Sequence, residues 1–319
     1  MEHHVSEQKV ALVLGATGGV GGAIARRLSK AGWKIRALHR SPSKVEAFHT
    51  DFDWIAGDAM SATDVASASV GANLIVHAVN PPGYKDWDKV VLPMLENSIE
   101  AARINNSRLF VPGGVYNFGP DTWTDIAEDS PQRPITRKGA IRAEMERRLR
   151  IAAEGGVRVL ILRTGDFFGP QAANNWFSQG LVKTTPGGRK VTHVGRDGVG
   201  HQWAYLPDVA ETVAQLIARD GELPSFAVFN MQGVWDHDGR QMIKAILHTV
   251  GASAKVSRFP WWMVAVGRPF VPFFREVYEM RYLWTVPVRL RNDRLREFLG
   301  KEPHTPLDQA VRATLAALG

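Results

Sequence analysis

The 319-residue chain carries 39 lysines and arginines against 32 aspartates and glutamates, a formal net charge of +7, with 45% hydrophobic and 22% charged residues. That length buries a large core as one compact unit or two packed lobes, and the absence of cysteine excludes disulfides and thiolate chemistry. The basic residues are spread along the chain and the densest run, "RAEMERRLRIAAE", is interleaved with glutamates, so a solvated helix face is expected and nucleic-acid binding is not.

The polar start "MEHHVSEQK" has no apolar signal core, which points to a cytoplasmic protein. "KVALVLGAT" is a continuous apolar run ending in glycine, as suits a strand buried on both faces of a parallel sheet. "GGAIARRLSKAG" has helical periodicity and Gly32 at its end. "WKIRALHR", "WIAGD" and "ANLIVHAV" read as the next three strands. "KVVLPMLENSIEAARINN" reads as a helix in which Pro93 is tolerable only in the first turn. "SRLFVPGG" is a fifth strand, "RKGAIRAEMERRLRIAAEGG" a long helix, and "VRVLILRTGDFFGP" a sixth strand with its loop.

This alternation predicts an α/β fold, a Rossmann-type doubly wound parallel sheet with right-handed crossovers. From about Gln171 the rhythm breaks into a glycine-rich, irregular segment with "TPGGR" as a turn. "LPDVAETVAQLIAR", with Asp208 near its start, and the short strand "SFAVFNM" are expected to return to the sheet. The expected division is a cofactor-binding domain over 1–170, rejoined by 203–233. A smaller, mainly helical substrate lobe takes 171–202 and 234–319. The aromatic segment "FPWWMVAVGRPFVPFF" is interrupted by Arg268 and three prolines, so it cannot span a bilayer. A wall of the substrate lobe is expected there and no membrane partner is called, with contact at a membrane surface the alternative reading of the segment.

"GATGGVGG" sits between the first strand and first helix, with Gly15, Gly18 and Gly21 in G-x-x-G-x-x-G spacing. Such a loop needs a tight turn, close approach of backbone to pyrophosphate, and close packing of helix on strand. The helix N-terminus then offers N–H groups and the positive dipole end to phosphates. Gly15, Thr17, Gly18, Gly19, Val20 and Gly21 are therefore the expected phosphate cradle. NAD sites place an acid about 20 residues further on for the ribose hydroxyls. The second strand instead ends "ALHRSPSK", with Arg40 near that place. Arg40 can fork onto a 2′-phosphate, with Ser41 and Lys44 nearby, so NADP(H) is expected over NAD. Asp58, followed by Ala59, is placed either to accept from the adenine amino group or to hold a turn. Ala78 and Val79 are expected to line the nicotinamide end through their backbone.

The ordered set "GATGGVGG", "WKIRALHRSPSK", "AGDAMSATDV", "LIVHAV", "LILRTGDFFGP" and "HQWAYLPDVAETV" resembles the extended short-chain dehydrogenase/reductases, the NAD-dependent epimerase/dehydratase family, over nearly the whole chain. The tail "RNDRLREFLGKEPHTPLDQAVRATL" is similar too. The resemblance implies a Rossmann domain with a C-terminal substrate lobe, and a homodimer packed through two helices. It also implies Ser, Tyr and Lys as catalytic residues. With Ala143 and Glu144 matched to the family's alanine-glutamate pair, however, those positions hold Gly114, Thr136 and Ala140. An aliphatic alcohol is a poor general acid near neutral pH.

A second registration resembles the atypical, isoflavone-reductase-like members, in which a lysine opens a K-x-x-x-R-x-x-x-E helix after a P-S-x-F-G loop. Here "KGAIRAEME" places Lys138, Arg142 and Glu146 on one helical stripe, and "VPGGVYNFG" has the loop's punctuation without its serine. Lys138 is then the candidate for catalysis and for the nicotinamide ribose; a surface salt-bridge stripe is the competing reading. Tyr116, the phenol of the opening loop, is the second catalytic candidate, and equally a residue packing on the lobe. Tyr84 and Trp87, after "HAVNPPG", and Asp166 and Phe167, in "RTGDFFGP", are candidates for the substrate cleft. His77 reads as a satisfied core residue, and His193 and His201 lack the spacing of a metal site. The expected function is an NADP(H)-dependent oxidoreductase acting on a small carbonyl, alcohol or enone. The alternatives are a non-catalytic NmrA-like sensor and a nucleotide-sugar epimerase or dehydratase.

Overall fold

The computed structural model describes residues 8–48, 50–81, 86–172, 175–185, 188–251 and 254–318. The first half alternates strand and helix. It runs β1 (Val10–Leu14), α1 (Gly19–Lys30), β2 (Lys34–His39), β3 (Asp53–Ala56), α2 (Ala62–Ser69) and β4 (Leu74–His77). It continues with α3 (Trp87–Asn105), β5 (Arg108–Gly113), α4 (Arg137–Glu154) and β6 (Arg158–Arg163). After the short strands β7 (Asp166–Phe168), β8 (Val182–Thr185), β9 (Gly188–His193) and β10 (His201–Tyr205) come α5 (Leu206–Ala218) and β11 (Phe226–Asn230). The remainder is β12 (Val234–Asp236), α6 (Gln241–Val250), β13 (Val256–Arg258), α7 (Trp261–Gly267), α8 (Pro272–Glu279), α9 (Asp293–Leu299) and α10 (Leu307–Ala316).

Seven strands form one sheet in the order β11-β6-β5-β4-β1-β2-β3, and every neighbouring pair is parallel. This is the doubly wound Rossmann architecture. The chain direction of travel reverses between β1 and β4, opening a crevice above their carboxyl ends, where such sheets take ligands. Apolar β1, β4 and β5 are buried on both faces, which is why they read as unbroken hydrophobic runs. One face packs on α1 and α5, the other on α2, α3 and α4. A third cluster lies in the lobe, around Phe168, Phe177, Trp203 and Trp284.

β11 pairs with β6 as the outermost strand, and α5 packs along α1, where Arg27 and Glu211 form an ion pair. β10 instead joins β7 and β12, and β8, β9 and β13 form another small sheet. The segment after Gly233 therefore contributes strands to the lobe as well as helices. Pro93 departs from expectation. α3 begins at Trp87, so the proline lies inside the helix rather than in its first turn. It is tolerated because it faces solvent together with Lys89, whose carbonyl loses the helical donor and can bond water instead. Asp208 does more than favour a dipole, because its carboxylate accepts from the N–H and hydroxyl of Thr305, both at 2.7 Å, and ties the C-terminal tail to α5.

Candidate cofactor and active site

The glycine loop is shaped by contacts that admit no side chain. Gly15 has φ +92°, and a Cβ there would lie 2.5 Å from the carbonyl oxygen of Ala78. A Cβ on Gly21 would lie 2.3 Å from the Gly15 carbonyl oxygen. The Gly18 N–H donates to that same oxygen at 2.9 Å, closing the turn. Thr17 and Gly18 are exposed at its tip, with Gly19 and Val20 half-buried behind them. α1 starts at Gly19 with no capping side chain and no acid in its first turn. Its first N–H groups therefore have neither a carbonyl a turn below nor a side-chain acceptor. That donor set and dipole fit the pyrophosphate of a dinucleotide. Ala78, whose N–H donates to Leu14 at 2.9 Å, and Val79 extend β4 along the other wall of the crevice.

At the far end of the cleft Arg40 is exposed just beyond β2, with no acid paired to it among the described residues. The Ser41 N–H donates to His39 Nδ1 at 3.0 Å, which shapes the loop, and Lys44 is exposed a few residues on. Asp58 holds a turn, one carboxylate oxygen accepting from the Met60 N–H at 3.0 Å. Ala59 is fixed beside it by Asn97, whose amide donates to its carbonyl at 2.9 Å.

The helix α4 settles which of its residues face inward. Thr136 caps it by accepting from the Gly139 N–H at 2.9 Å, and Ala140 lies on the exposed face. The stripe of Lys138, Arg142 and Glu146 faces the interior, so it is not a surface salt-bridge ladder. Each member also looks to a partner off the helix. Glu146 forms a two-pronged pair with Arg163 at the end of β6, at 2.9 and 2.6 Å. The Arg142 guanidinium lies 5.1 Å from the centre of the Trp87 ring.

Lys138 is only 2% exposed, and its ammonium meets the Glu276 carboxylate, Glu279 Oε2 at 2.6 Å and the Glu276 carbonyl at 3.3 Å. The Lys138 N–H donates to the other oxygen of Glu279 at 3.2 Å. Burial pushes the Glu276 carboxyl up, but the hydrogen bond and charge of Lys138, with Arg137 and Arg275, outweigh it and hold the group below the usual carboxylate range. Glu276 and Glu279 come from α8 in the lobe. Sequence reasoning missed them, although they are an i, i+3 acid pair at the end of an aromatic segment.

Tyr116 is half-buried and packs against the lobe cluster, and its carbonyl crowds Gly139 at the start of α4. Trp87 is buried under Arg142, while Tyr84 lies outside the described residues. Asp166 accepts from His201 at 2.9 Å; the other His201 nitrogen meets the Leu283 carbonyl at 3.1 Å, and the ring stacks on Trp284 at 4.0 Å. Phe167 packs on the sheet core. His77 is neutral, its pKa pushed down to about 3 by burial and then by the charge of Arg142, and its Nδ1 bonds Ser98 at 2.8 Å. Burial, then the nearby Arg258, lowers His193. Among the described residues no group of three or more His, Asp or Glu is placed to hold a metal ion, and no helix among them is long and apolar enough to cross a membrane.

The two glycines beyond β5 differ. A Cβ on Gly113 would press to 2.7 Å from Arg163 Cγ, so this glycine lets the Arg163–Glu146 pair form. A Cβ on Gly114 would meet nothing within 4 Å, and its φ is not in the left-handed region. Gly114→Ser is therefore expected to change stability by no more than about 0.5 kcal/mol, checked by urea unfolding. A loss well beyond that would show that the space is not open.

Residues 15–219, well over half of the chain, match the NAD(P)H-binding family. No curated protein matches the sequence at a significant level. Among solved structures, the UDP-glucuronic acid 4-epimerase from Bacillus cereus in complex with NAD superposes with a TM-score of 0.74 at 16% identity, over 97% of this chain and 96% of that one. The dTDP-glucose 4,6-dehydratase DesIV from Streptomyces venezuelae, with NAD and TYD bound, gives 0.72 at 15% identity, over 97% and 96%. The Bordetella bronchiseptica enzyme WbmH in complex with NAD+ gives 0.70 at 16% identity, over 98% of both chains. The fold is thus shared with sugar-nucleotide epimerases and dehydratases at low identity. With the glycine cradle, the crevice at the strand-order reversal and the match over residues 15–219, this chain belongs to the NAD(P)H-binding family.

Proposed function

We propose that the protein is an NADP(H)-dependent oxidoreductase of the atypical or extended short-chain dehydrogenase type, acting on a small carbonyl, alcohol or enone. The observation that carries the reading is the pairing of the buried Lys138, at the start of α4, with the half-buried carboxylates of Glu276 and Glu279. Burying a lysine is costly unless it is paired, and such clusters concentrate where proton chemistry is done. The cofactor, when bound, supplies hydride transfer. The chain supplies the rest: the 15–21 loop holds pyrophosphate, Arg40 holds the 2′-phosphate, and Ala78 and Val79 wall the crevice. Lys138 stabilises charge on a substrate oxygen by exchanging one of its acceptors for it.

The preference for NADP(H) rests on Arg40, exposed and without an acidic partner among the described residues. Arg40→Ala is expected to weaken NADPH binding about tenfold to a hundredfold, the loss of a charge-assisted contact, and to leave NADH binding unchanged by titration. Tighter binding of NADH than NADPH by the unaltered protein would overturn this assignment.

A second reading is favoured by the same cluster. An ammonium has three protons, and all three have acceptors here. Until α8 yields, no proton of Lys138 is offered to a substrate, as befits a protein that binds NADP(H) without turning it over. NADPH oxidation against carbonyl, enone and nucleotide-sugar panels separates the readings. Turnover abolished by Lys138→Ala supports the enzyme. Tight NADPH binding without turnover, in both the unaltered protein and Glu279→Ala, selects the binding protein.

A further inference from the structure

The hairpin of α7 and α8 exposes a concentration of large apolar side chains. Within residues 262–273, Trp262 is 73% exposed, Val266 67%, Phe270 83% and Phe273 50%, and Met263 and Val271 also reach solvent. Trp262 and Val266 are one turn apart, so they stand together on α7. Scattered exposed apolar residues need no explanation, but a contiguous set of this size does.

The hairpin is not loose. The Trp261 indole donates to the Val194 carbonyl at 2.8 Å, Val264 and Val277 are buried, and a Cβ on Gly267 would lie 2.6 Å from the Phe274 ring, so the two helices meet closely. The inner side of α8 is committed to Lys138 through Glu276 and Glu279. The apolar outer face is thus presented on a fixed platform.

Charge decides what covers it. From Lys255 to Arg275 the sequence holds Lys255, Arg258, Arg268 and Arg275 and no acidic residue. Arg258 is paired with Asp197, whereas Lys255, Arg268 and Arg275 are exposed, Arg268 with its guanidinium 4.4 Å from the centre of the Tyr278 ring and Arg275 with a 3.7 Å contact to Glu276. Two copies meeting through this face about a two-fold axis would set like charges against each other. An anionic lipid surface takes both components: aromatic side chains enter the headgroup boundary while arginine and lysine stay at the phosphates.

We propose that the α7–α8 hairpin docks the protein on the surface of an anionic bilayer, with Trp262, Val266, Phe270 and Phe273 inserted at the headgroup level and Arg268 and Arg275 on lipid phosphates. The protein lies on the membrane and does not span it.

The test is co-sedimentation of the full chain with vesicles of phosphatidylcholine alone, or containing phosphatidylglycerol as roughly a third of the lipid. Binding to the anionic vesicles, weaker on phosphatidylcholine and reduced by salt, is expected. Trp262→Ala with Phe270→Ala should lower the partition coefficient at least about tenfold. Thermal melting and NADPH titration verify that the double variant is folded. The proposal is overturned if the unaltered protein stays in the supernatant with anionic vesicles, or if the folded double variant sediments as the unaltered protein does. It is equally overturned if gel filtration shows a dimer that this variant dissociates, since the face is then covered by a second copy.

Discussion

Gly15→Ala is expected to abolish NADPH binding and to cost the fold on the order of 2–4 kcal/mol. Two independent faults add. The backbone at φ +92° is one that a residue with a Cβ rarely adopts, and the added carbon falls 2.5 Å from the Ala78 carbonyl oxygen. Relief requires β1 and β4 to separate at their carboxyl ends, which is where the cofactor must lie. Gly21→Ala has only the steric fault, 2.3 Å from the Gly15 carbonyl oxygen, and should lift α1 from the loop with a smaller loss of stability. Urea unfolding and NADPH titration of the two variants check both statements. A Gly15→Ala protein that melts and binds normally would show that the turn relaxes without cost.

Lys138→Ala should be the most damaging single change outside the glycine loop, at about 3–5 kcal/mol, because it leaves two carboxylates facing each other without their cation. Combining it with Glu276→Gln and Glu279→Gln should recover much of the loss. A purely steric role for the lysine would predict no recovery. The pH dependence has a definite sign. Glu276 is held below the usual carboxylate range, so the stability it lends is fully present above that range and drains as pH falls through its lowered value. Removing Lys138 removes the main group holding it down, and the fall in stability as pH drops below the usual carboxylate range, from about 5 downward, should be shallower in Lys138→Ala than in the unaltered protein.

The parts of the molecule legible in the sequence are those specified by local geometry. The glycine loop declares itself because a left-handed turn, a close strand contact and a helix start fall within seven residues, and only glycine meets all three. The inward stripe of α4 is legible for a similar reason, since a period of four matches one face of a helix. The other registration, on Ala143 and Glu144, falls at the Thr136 cap and at Ala140 on the exposed side of the helix. What holds Lys138 was not legible. Its partners lie about 140 positions away, in a segment whose aromatic content drew attention from Glu276 and Glu279. His201 meets Asp166 for the same kind of reason, through the pairing of β10 with β7, which no local pattern announces. The neighbouring Gly113 and Gly114, indistinguishable in the sequence, stand in different surroundings: Gly113 is crowded by Arg163, whereas Gly114 stands in open space.

The placement of α5 and β11 bears on how the chain is made. β6 would be a raw sheet edge, and the outer side of α1 bare, until residues 206–230 arrive to cover them. The nucleotide-binding half therefore cannot close as it leaves the ribosome in order of its numbering. It must wait through the synthesis of the lobe's first strands, β7 to β10, with an unpaired parallel strand showing. Birth order and spatial order disagree in this protein: the strand that extends the sheet past β6 is made only after the first four strands of the lobe.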